Sequence, residues 1–509
     1  MAEQKPHLDS TFSTRQKLGL ALGPLLFILT MALIFPGEPT AAGMSASARA
    51  VLASTLWIAV WWITEAIPIA ATSLLPIILF PLTGGLDIHT TTKAYGHPMI
   101  YLFIGGFMIA VAIERWHLHR RIAMKIIAAM GTGSSRMILG FMLATALLSM
   151  WISNTATAMM MVPIGLAIVT QLDAFQARQS KNGDFHPTVF GKALMLSIAY
   201  AASIGGMATL IGTPPNLVFL GIVKQIYNVE ISFVQWMYFG VPVSMLLLLI
   251  CWFYLTRFAF PLRHQRIPGS QAEIARQLAA LGKMTREERR VLTVFMLTAL
   301  AWITRAFILS KFIPGINDTV IAIAGALSLF LISAPNQPGE KLLDWESAVR
   351  LPWGIVLLFG GGLAIAAGFK SSGLAEWIGT QFHLLNGISF IIILLLVIAA
   401  INFLTEITSN TATATIILPI LSALALALDV HPFGLMIAAT VAASCAFMLP
   451  VATPPNAVVF GSGELEISDM VKAGIWMNLI SIVLLTLFVY FWLPLIWGID
   501  LQIFPAILK

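Results

Sequence analysis

Charge is scarce in this chain: Asp, Glu, Lys and Arg together make up 10% of its 509 residues, where a soluble domain carries about 25%. With 58% hydrophobic residues and a mean hydropathy of +0.89, the sequence places itself in a bilayer. Apolar stretches recur along its whole length, so no segment is left over for a separate soluble domain. Cysteine is nearly absent, and the two present, Cys251 and Cys445, sit in apolar segments, which excludes a disulfide framework. His117 and His119 have no Cys or acidic companion at metal-ligand spacing, so they read as interfacial residues rather than a zinc site. There is no nucleophile paired with a base and no phosphate-cradling loop, which leaves a membrane-embedded enzyme without support.

Lys and Arg are missing altogether from Ser371 to Val471. Elsewhere they cluster between apolar spans rather than spreading into a nucleic-acid-binding face, despite a net charge of +6. Arg115, Arg120, Arg121 and Lys125 form one group. Arg257, Arg263, Arg266, Arg276, Lys283, Arg286, Arg289 and Arg290 form another. The positive-inside rule puts both on the cytoplasmic side. The first apolar segment, Leu18 to Phe35, is long enough to span and is preceded by Arg15 and Lys17. It is read as a retained first helix with a cytoplasmic N-terminus rather than a cleaved signal, although small residues follow at Ala41 to Ala48.

The chain repeats itself. Ser149 to Ala158 (SMWISNTATA) returns 256 positions later as Thr405 to Ala414 (TEITSNTATA), and Gly105 and Gly106 return as Gly361 and Gly362 at the same spacing. Ala201-Ala202-Ser203 leading to Thr213-Pro214-Pro215-Asn216 matches Ala442-Ala443-Ser444 leading to Thr453-Pro454-Pro455-Asn456. The offset shrinks there because the first half carries extra polar residues around Gln176 to His186. Charge and length predict an all-α polytopic membrane protein with about eleven transmembrane helices and two re-entrant helical hairpins. Its parts are a first segment (1–48), a first repeat (49–260, hairpin 134–172), a basic cytoplasmic connector (261–288) and a second repeat (289–509, hairpin 387–428). An odd number of spans per half makes the repeats inverted in topology. The connector reads as a solvated linker touching anionic headgroups.

Both SNT segments are apolar at their ends and polar in the middle, which suits a hairpin whose turn opens only into protein or a watery cavity. Pro-Pro within a span blocks helical continuation, so 212–216 and 452–456 are expected to be unwound breaks. Such interruptions create helix N-termini that attract an anion and free oxygens that suit a hard cation such as sodium. Neither motif holds Lys or Arg, so bound cations are the natural compensation for a dianion. A lone Ser-Asn-Thr is more simply a close-packing device; two related copies, each followed by a Thr-Pro-Pro-Asn break, favour a site. On this reading Asn154, Thr155, Asn410 and Thr411 hold carboxylates, and Thr213 and Thr453 complete the pocket. Glu406, inside the second hairpin, is a functional candidate as an intramembrane carboxylate. Met150 stands in its place in the first half, which favours a structural role. Glu65, beside Trp61 and Trp62, reads as a span end.

These paired motifs resemble the divalent anion:sodium symporter family, the INDY-type carboxylate transporters, over nearly the full chain. The likeness includes Ala443, Ser444, Phe447, Pro450, Val451, Ala452, Asn456, Val458 and Val459 around the second break. It implies a homodimer in which a transport domain slides, elevator-fashion, against a fixed scaffold. It also implies sodium as co-transported ion at two or more sites. The first would involve Ser149, Ser153, Asn154 and Gly212, and its mate Thr405, Thr408, Asn410 and Ala452. Pro214 and Pro454 would stand beside the substrate. Position 408 is Thr where a small residue, often Ala, is expected. Both breaks are kept, where exchangers of the wider family tend to lack them, so the resemblance implies sodium symport of C4-dicarboxylates (succinate, malate or fumarate) across a bacterial cytoplasmic membrane. Transport of sulfate or citrate, anion exchange and an ion channel are the alternatives.

Overall fold

The computed structural model describes residues 12–33, 44–179, 188–262, 269–381 and 387–508. Ala41 and its two followers, residues 180–187 of the polar insert, and Arg263 and Arg266 of the connector lie outside the described residues. The regular secondary structure of the described residues is helical, apart from an isolated bridge between Ser333 and Lys341. Among the described residues nine helices are long and apolar enough to cross a membrane. Five shorter apolar helices accompany them: Ile69–Thr83, Ser134–Ser149, Asp318–Leu331, Phe390–Leu404 and Pro432–Ala442.

The apolar stretches 188–226 and 433–462, each long enough to read as a single span, are each two helices. Helix Val189–Gly206 stops and Pro214–Tyr227 restarts, as Pro432–Ala442 stops and Pro454–Phe460 restarts. The irregular chain precedes the prolines rather than containing them, which corrects the expected breaks at 212–216 and 452–456. Thr213 and Thr453 are N-caps in nearly identical extended conformations (φ −142°, ψ 141° and φ −140°, ψ 150°). Pro214 and Pro454 then occupy the first helical position, where a fixed φ is an advantage and no N–H is needed.

Asn216 and Asn456 close these breaks from inside. The Asn216 amide donates to the carbonyls of Gly206, Met207 and Thr209 at 3.4, 3.3 and 2.7 Å, and Asn456 donates to Ala446 and Leu449 at 3.2 and 3.0 Å. Carbonyls released by unwinding thereby regain donors without water, as an apolar surrounding requires.

Each SNT segment is a helix, a short turn and a second helix: Ser134–Ser149 then Asn154–Gln179, and Phe390–Leu404 then Asn410–Ala427. Ser153 and Ser409 sit just before the second helix, and their hydroxyls accept from the amides of Ala156 and Ala412, as N-cap residues do. The halves interlock crosswise. Pro214–Tyr227 packs against Asn410–Ala427, and Pro454–Phe460 packs against Asn154–Gln179, so each break lies next to the other half's tip.

The connector is not a solvated linker. Helix Ser270–Ala280 is docked, with Glu273 1% exposed and accepting from Gln171 at 3.0 Å, Arg276 at 2.7 Å and Gln277 at 2.8 Å. Buried Arg121 pairs with Glu288 at 2.9 Å and donates to the carbonyls of Leu281 and Gly282 at 2.8 and 2.9 Å. His117, in the left-handed region at φ 55°, marks the joint between Pro98–Arg115 and Leu118–Met130. No cluster of metal-holding His, Cys, Asp and Glu occurs among the described residues.

Candidate substrate and cation site

The two tips and two breaks open onto one cavity of about 710 Å³, within the usual range for small-molecule sites. Its lining contains Asn154, Thr155, Thr213, Pro214, Asn410, Thr411, Thr453 and Pro454, the whole of the expected anion set, together with Ser153, Gly212, Thr408 and Ala452. Four helices begin at this wall, at Asn154, Pro214, Asn410 and Pro454, so their N-terminal dipole ends share one space. The charged lining residues are Arg15 and Glu65. Formal charge on the walls therefore cancels, and partial charges of backbone N–H groups dominate.

Ser149 and Thr405 stand behind the tips, fully buried, and in matching poses. Ser149 Oγ lies 2.5 Å from Asn154 Oδ1 and 2.7 Å from the Ala202 carbonyl. Thr405 Oγ1 lies 2.7 Å from Asn410 Oδ1 and 3.0 Å from the Ala443 carbonyl. One hydroxyl proton cannot serve two acceptors, so each group is richer in oxygen than in donors. The Asn154 amide decides the balance in its half. Turned with nitrogen inward it donates to Gly212 and Ala202 carbonyls at 3.2 Å and to Ser149 Oγ; turned with oxygen inward it completes a knot of four oxygens suited to a cation. Gly212 has no room for a side chain, since an added Cβ would collide with the Gly206 carbonyl.

Thr408 lines the cavity with its side chain engaged in the tip. Its hydroxyl donates to the Leu404 carbonyl at 2.8 Å and meets Thr413 Oγ1 at 2.6 Å. The side chain thus points into the turn, which leaves the backbone to face the cavity.

Glu406 finds four hydrogen-bond donors within the protein. Buried at 3% exposure, its carboxylate accepts from the amides of Phe447, Met448 and Leu449 at 2.7, 3.0 and 3.0 Å and from Asn478 Nδ2 at 2.8 Å. It holds the second tip to the second break. In the first half the same junction uses Thr209, whose hydroxyl donates to the Met150 carbonyl. Glu65 ends helix Ala46–Thr64 in a left-handed cap (φ 51°) and also faces the cavity. Sequence reasoning missed Arg15, whose guanidinium bonds the carbonyls of Ile63 and, at 3.1 Å, Ile407 of the second tip. No motif surrounds Arg15, and only folding brings the start of the first helix to residue 407.

The tips differ in how open they are. Trp151 of the first tip stacks on Phe233 and Trp302, with ring centroids 5.9 and 6.4 Å apart, and meets Phe295 edge-on at 5.0 Å. Ile407 and Val451, on the other side, are 59% and 81% exposed.

Comparison with known proteins settles what kind of molecule carries this site. A family profile described as the sodium:sulfate symporter transmembrane region matches residues 19–498. The chain belongs to the sodium:sulfate symporter family. It is a membrane transporter and not an enzyme. Among its relatives, the sodium-dependent dicarboxylate transporter SdcS of Staphylococcus saprophyticus is 49% identical over 498 residues, covering 97% of this chain and 94% of that one. SdcS of Staphylococcus aureus strain MRSA252 is 49% identical over 494 residues, covering 96% and 94%. Solved structures share the fold of this transporter at low identity. The YdaH transporter of Alcanivorax borkumensis has a TM-score of 0.59 at 14% identity over 95% of this chain and 99% of its own. MtrF of Neisseria gonorrhoeae has a TM-score of 0.57 at 15% identity over 95% and 96%.

Proposed function

We propose that this protein is a secondary active transporter that carries C4-dicarboxylates such as succinate, malate or fumarate together with sodium across the bacterial cytoplasmic membrane. The observation that carries the reading is the convergence of four helix N-termini and two oxygen-rich tip clusters on one cavity whose charged side chains are a single Arg and a single Glu. A dianion there is held by amide dipoles and the hydroxyl and amide groups of Asn154, Thr155, Thr213, Asn410, Thr411 and Thr453, with Pro214 and Pro454 as apolar edges. Sodium neutralises it from behind. One ion sits among Ser149, Ser153, Asn154 and Gly212, and another among Thr405, Thr408, Asn410 and Ala452, with Thr408 contributing its backbone. Two nearly matching tips suit a compact ligand with a carboxylate at each end. The naming of relatives as sodium-dependent dicarboxylate transporters supports both substrate and ion.

Alternating access follows an elevator in this reading: the tips and breaks form a moving body in each subunit of a homodimer, with the two halves inverted in the membrane. The aromatic plug at Trp151 and the exposure beside Ile407 support a state open on one side only. With the N-terminus cytoplasmic, that side is the cytoplasm, where Arg15 lies. Uptake of labelled succinate into proteoliposomes tests the coupling. An inward sodium gradient drives accumulation, and full activity without sodium refutes symport. Unlabelled sulfate and citrate compete poorly; strong competition by sulfate alone reassigns the substrate. Saturation of the uptake rate separates a carrier from a channel.

A further inference from the structure

We propose that Asn402, Ser444 and Asn478, together with the Glu406 carboxylate, form a further sodium site, separate from those behind the two tips. The proposal rests on the sodium-coupled reading and extends it. Asn402 lies on helix Phe390–Leu404, before the second tip, and Ser444 lies in the break just past helix Pro432–Ala442. Asn478 and Ser481 are close together on helix Ile467–Leu487. Asn402, Asn478 and Ser481 have no exposure, and Ser444 has 1%.

The donor ends of this cluster are all spent. Asn402 Nδ2 donates to the Cys445 carbonyl at 2.8 Å and to Ser481 Oγ at 3.1 Å. Ser481 Oγ donates to the Asn478 carbonyl at 2.8 Å, and Asn478 Nδ2 donates to Glu406 at 2.8 Å. These bonds fix which way both amides face. Asn402 Oδ1, Asn478 Oδ1 and Ser444 Oγ are left buried with no partner. An orphan of this kind keeps its desolvation cost without a bond in return, and native interiors leave few of them.

Charge points the same way. Glu406 receives four hydrogen bonds, all from uncharged donors, and no Lys or Arg occurs from Ser371 to Val471. A water molecule would serve two of the orphan oxygens and leave the carboxylate's charge uncompensated. A monovalent cation serves oxygens and charge together. The set is not a relic of duplication, because the positions 256 residues earlier than Asn402 and Glu406 are Ala146 and Met150. An ion here braces the same backbone that Glu406 grips, at 447–449, a few residues before Ala452 and Thr453 reach the cavity wall. Its binding therefore prepares the second edge of the anion site.

Ser444→Ala is the most informative variant, because its hydroxyl makes no hydrogen bond and its removal costs the ion-free fold nothing. Asn402→Ala is the second. Both are made in the full-length protein and reconstituted for sodium titration of succinate uptake and for reversal-potential measurement of the sodium-to-succinate ratio. Expected results are a sodium half-saturation raised about tenfold, a shallower sodium curve, and a ratio lower by one ion per cycle. Thermal stability of Ser444→Ala in sodium-free buffer stays as in the wild type. Wild-type sodium curves and ratio in Ser444→Ala show that the cluster holds water, and the proposal falls. Sodium-independent uptake by the wild type is a different failure, that of symport itself, and is visible before any variant is made.

Discussion

Glu406→Gln tests how the second tip is held to the second break. The carboxylate takes three consecutive backbone amides and one side-chain amide across its two oxygens, at 2.7 to 3.0 Å. Glutamine offers one oxygen. Its least costly pose keeps that oxygen with Phe447, Met448 and Asn478 and turns an NH2 group toward the Leu449 N–H. One charge-assisted bond is lost, a donor is left facing a donor, and three bonds lose their charge. At about 1.5–3 kcal/mol for a bond to a charged group, the sum comes to roughly 3–6 kcal/mol, a large fraction of the ~5–15 kcal/mol that stabilises a typical fold. Removing one donor instead, in Asn478→Ala, leaves the three backbone bonds and costs less. The ordering of thermal transition temperatures in detergent is therefore wild type, Asn478→Ala, Glu406→Gln, Glu406→Ala, from highest to lowest. Glu406→Asp, one methylene short, does not restore the wild-type value. The reasoning is refuted if Glu406→Gln melts and transports as the wild type does, since the carboxylate would then not be what fixes residues 447–449.

Asn154→Ala and Asn410→Ala each abolish sodium-dependent succinate uptake while eluting from size exclusion as folded protein, because each side chain faces both the cavity and the oxygen cluster behind its tip; uptake by either variant at the wild-type rate removes the basis for the site. Gly206→Ala places a Cβ about 2.7 Å from Asn154 Oδ1, and its expected signature is weakened sodium binding by isothermal titration with helix content unchanged by circular dichroism. Outside the membrane, the Ser347 N–H, which caps onto Asp344, and Arg115 beside it hold the Asp344 carboxyl below its ordinary value of 3.8. A depressed folded value gives stability that is present above the unfolded value and lost as pH falls through the folded one. Asp344→Asn accordingly melts below wild type at neutral pH, and the difference closes under acidification below about pH 4; a gap that persists in acid contradicts the assignment.

Residues with a repeat partner were legible; of those without one, Glu406 was legible as an intramembrane carboxylate and several others were not. Asn154 and Asn410, or Thr213 and Thr453, announce themselves because the same short polar string interrupts an apolar stretch twice. Asn402, Asn478 and Arg15 occur once, far apart in the chain, in stretches that carry no pattern. Thr408 was visible as a departure from expectation, yet whether its hydroxyl faces the cavity or the turn depends on Leu404 and Thr413, a contact that spacing does not specify. The connector misled for a related reason. Its net basic charge describes composition, whereas its buried carboxylates Glu273 and Glu288 find partners within the fold.

Composition and repetition by themselves determined a helical membrane protein with duplicated interruptions, because hydrocarbon forbids unpaired backbone groups and so restricts where a chain can be irregular. They also determined which residue types would stand at those interruptions. Tertiary structure alone decided that each break lies against the opposite half's tip, that the prolines open helices instead of lying in the unwound chain, and that one tip is plugged by aromatics while the other is exposed. The crosswise pairing joins segments some 200 or more residues apart and the plug joins Trp151 to Phe233, Phe295 and Trp302, and pairings at such distances leave no local trace in a chain whose apolar residues are nearly interchangeable.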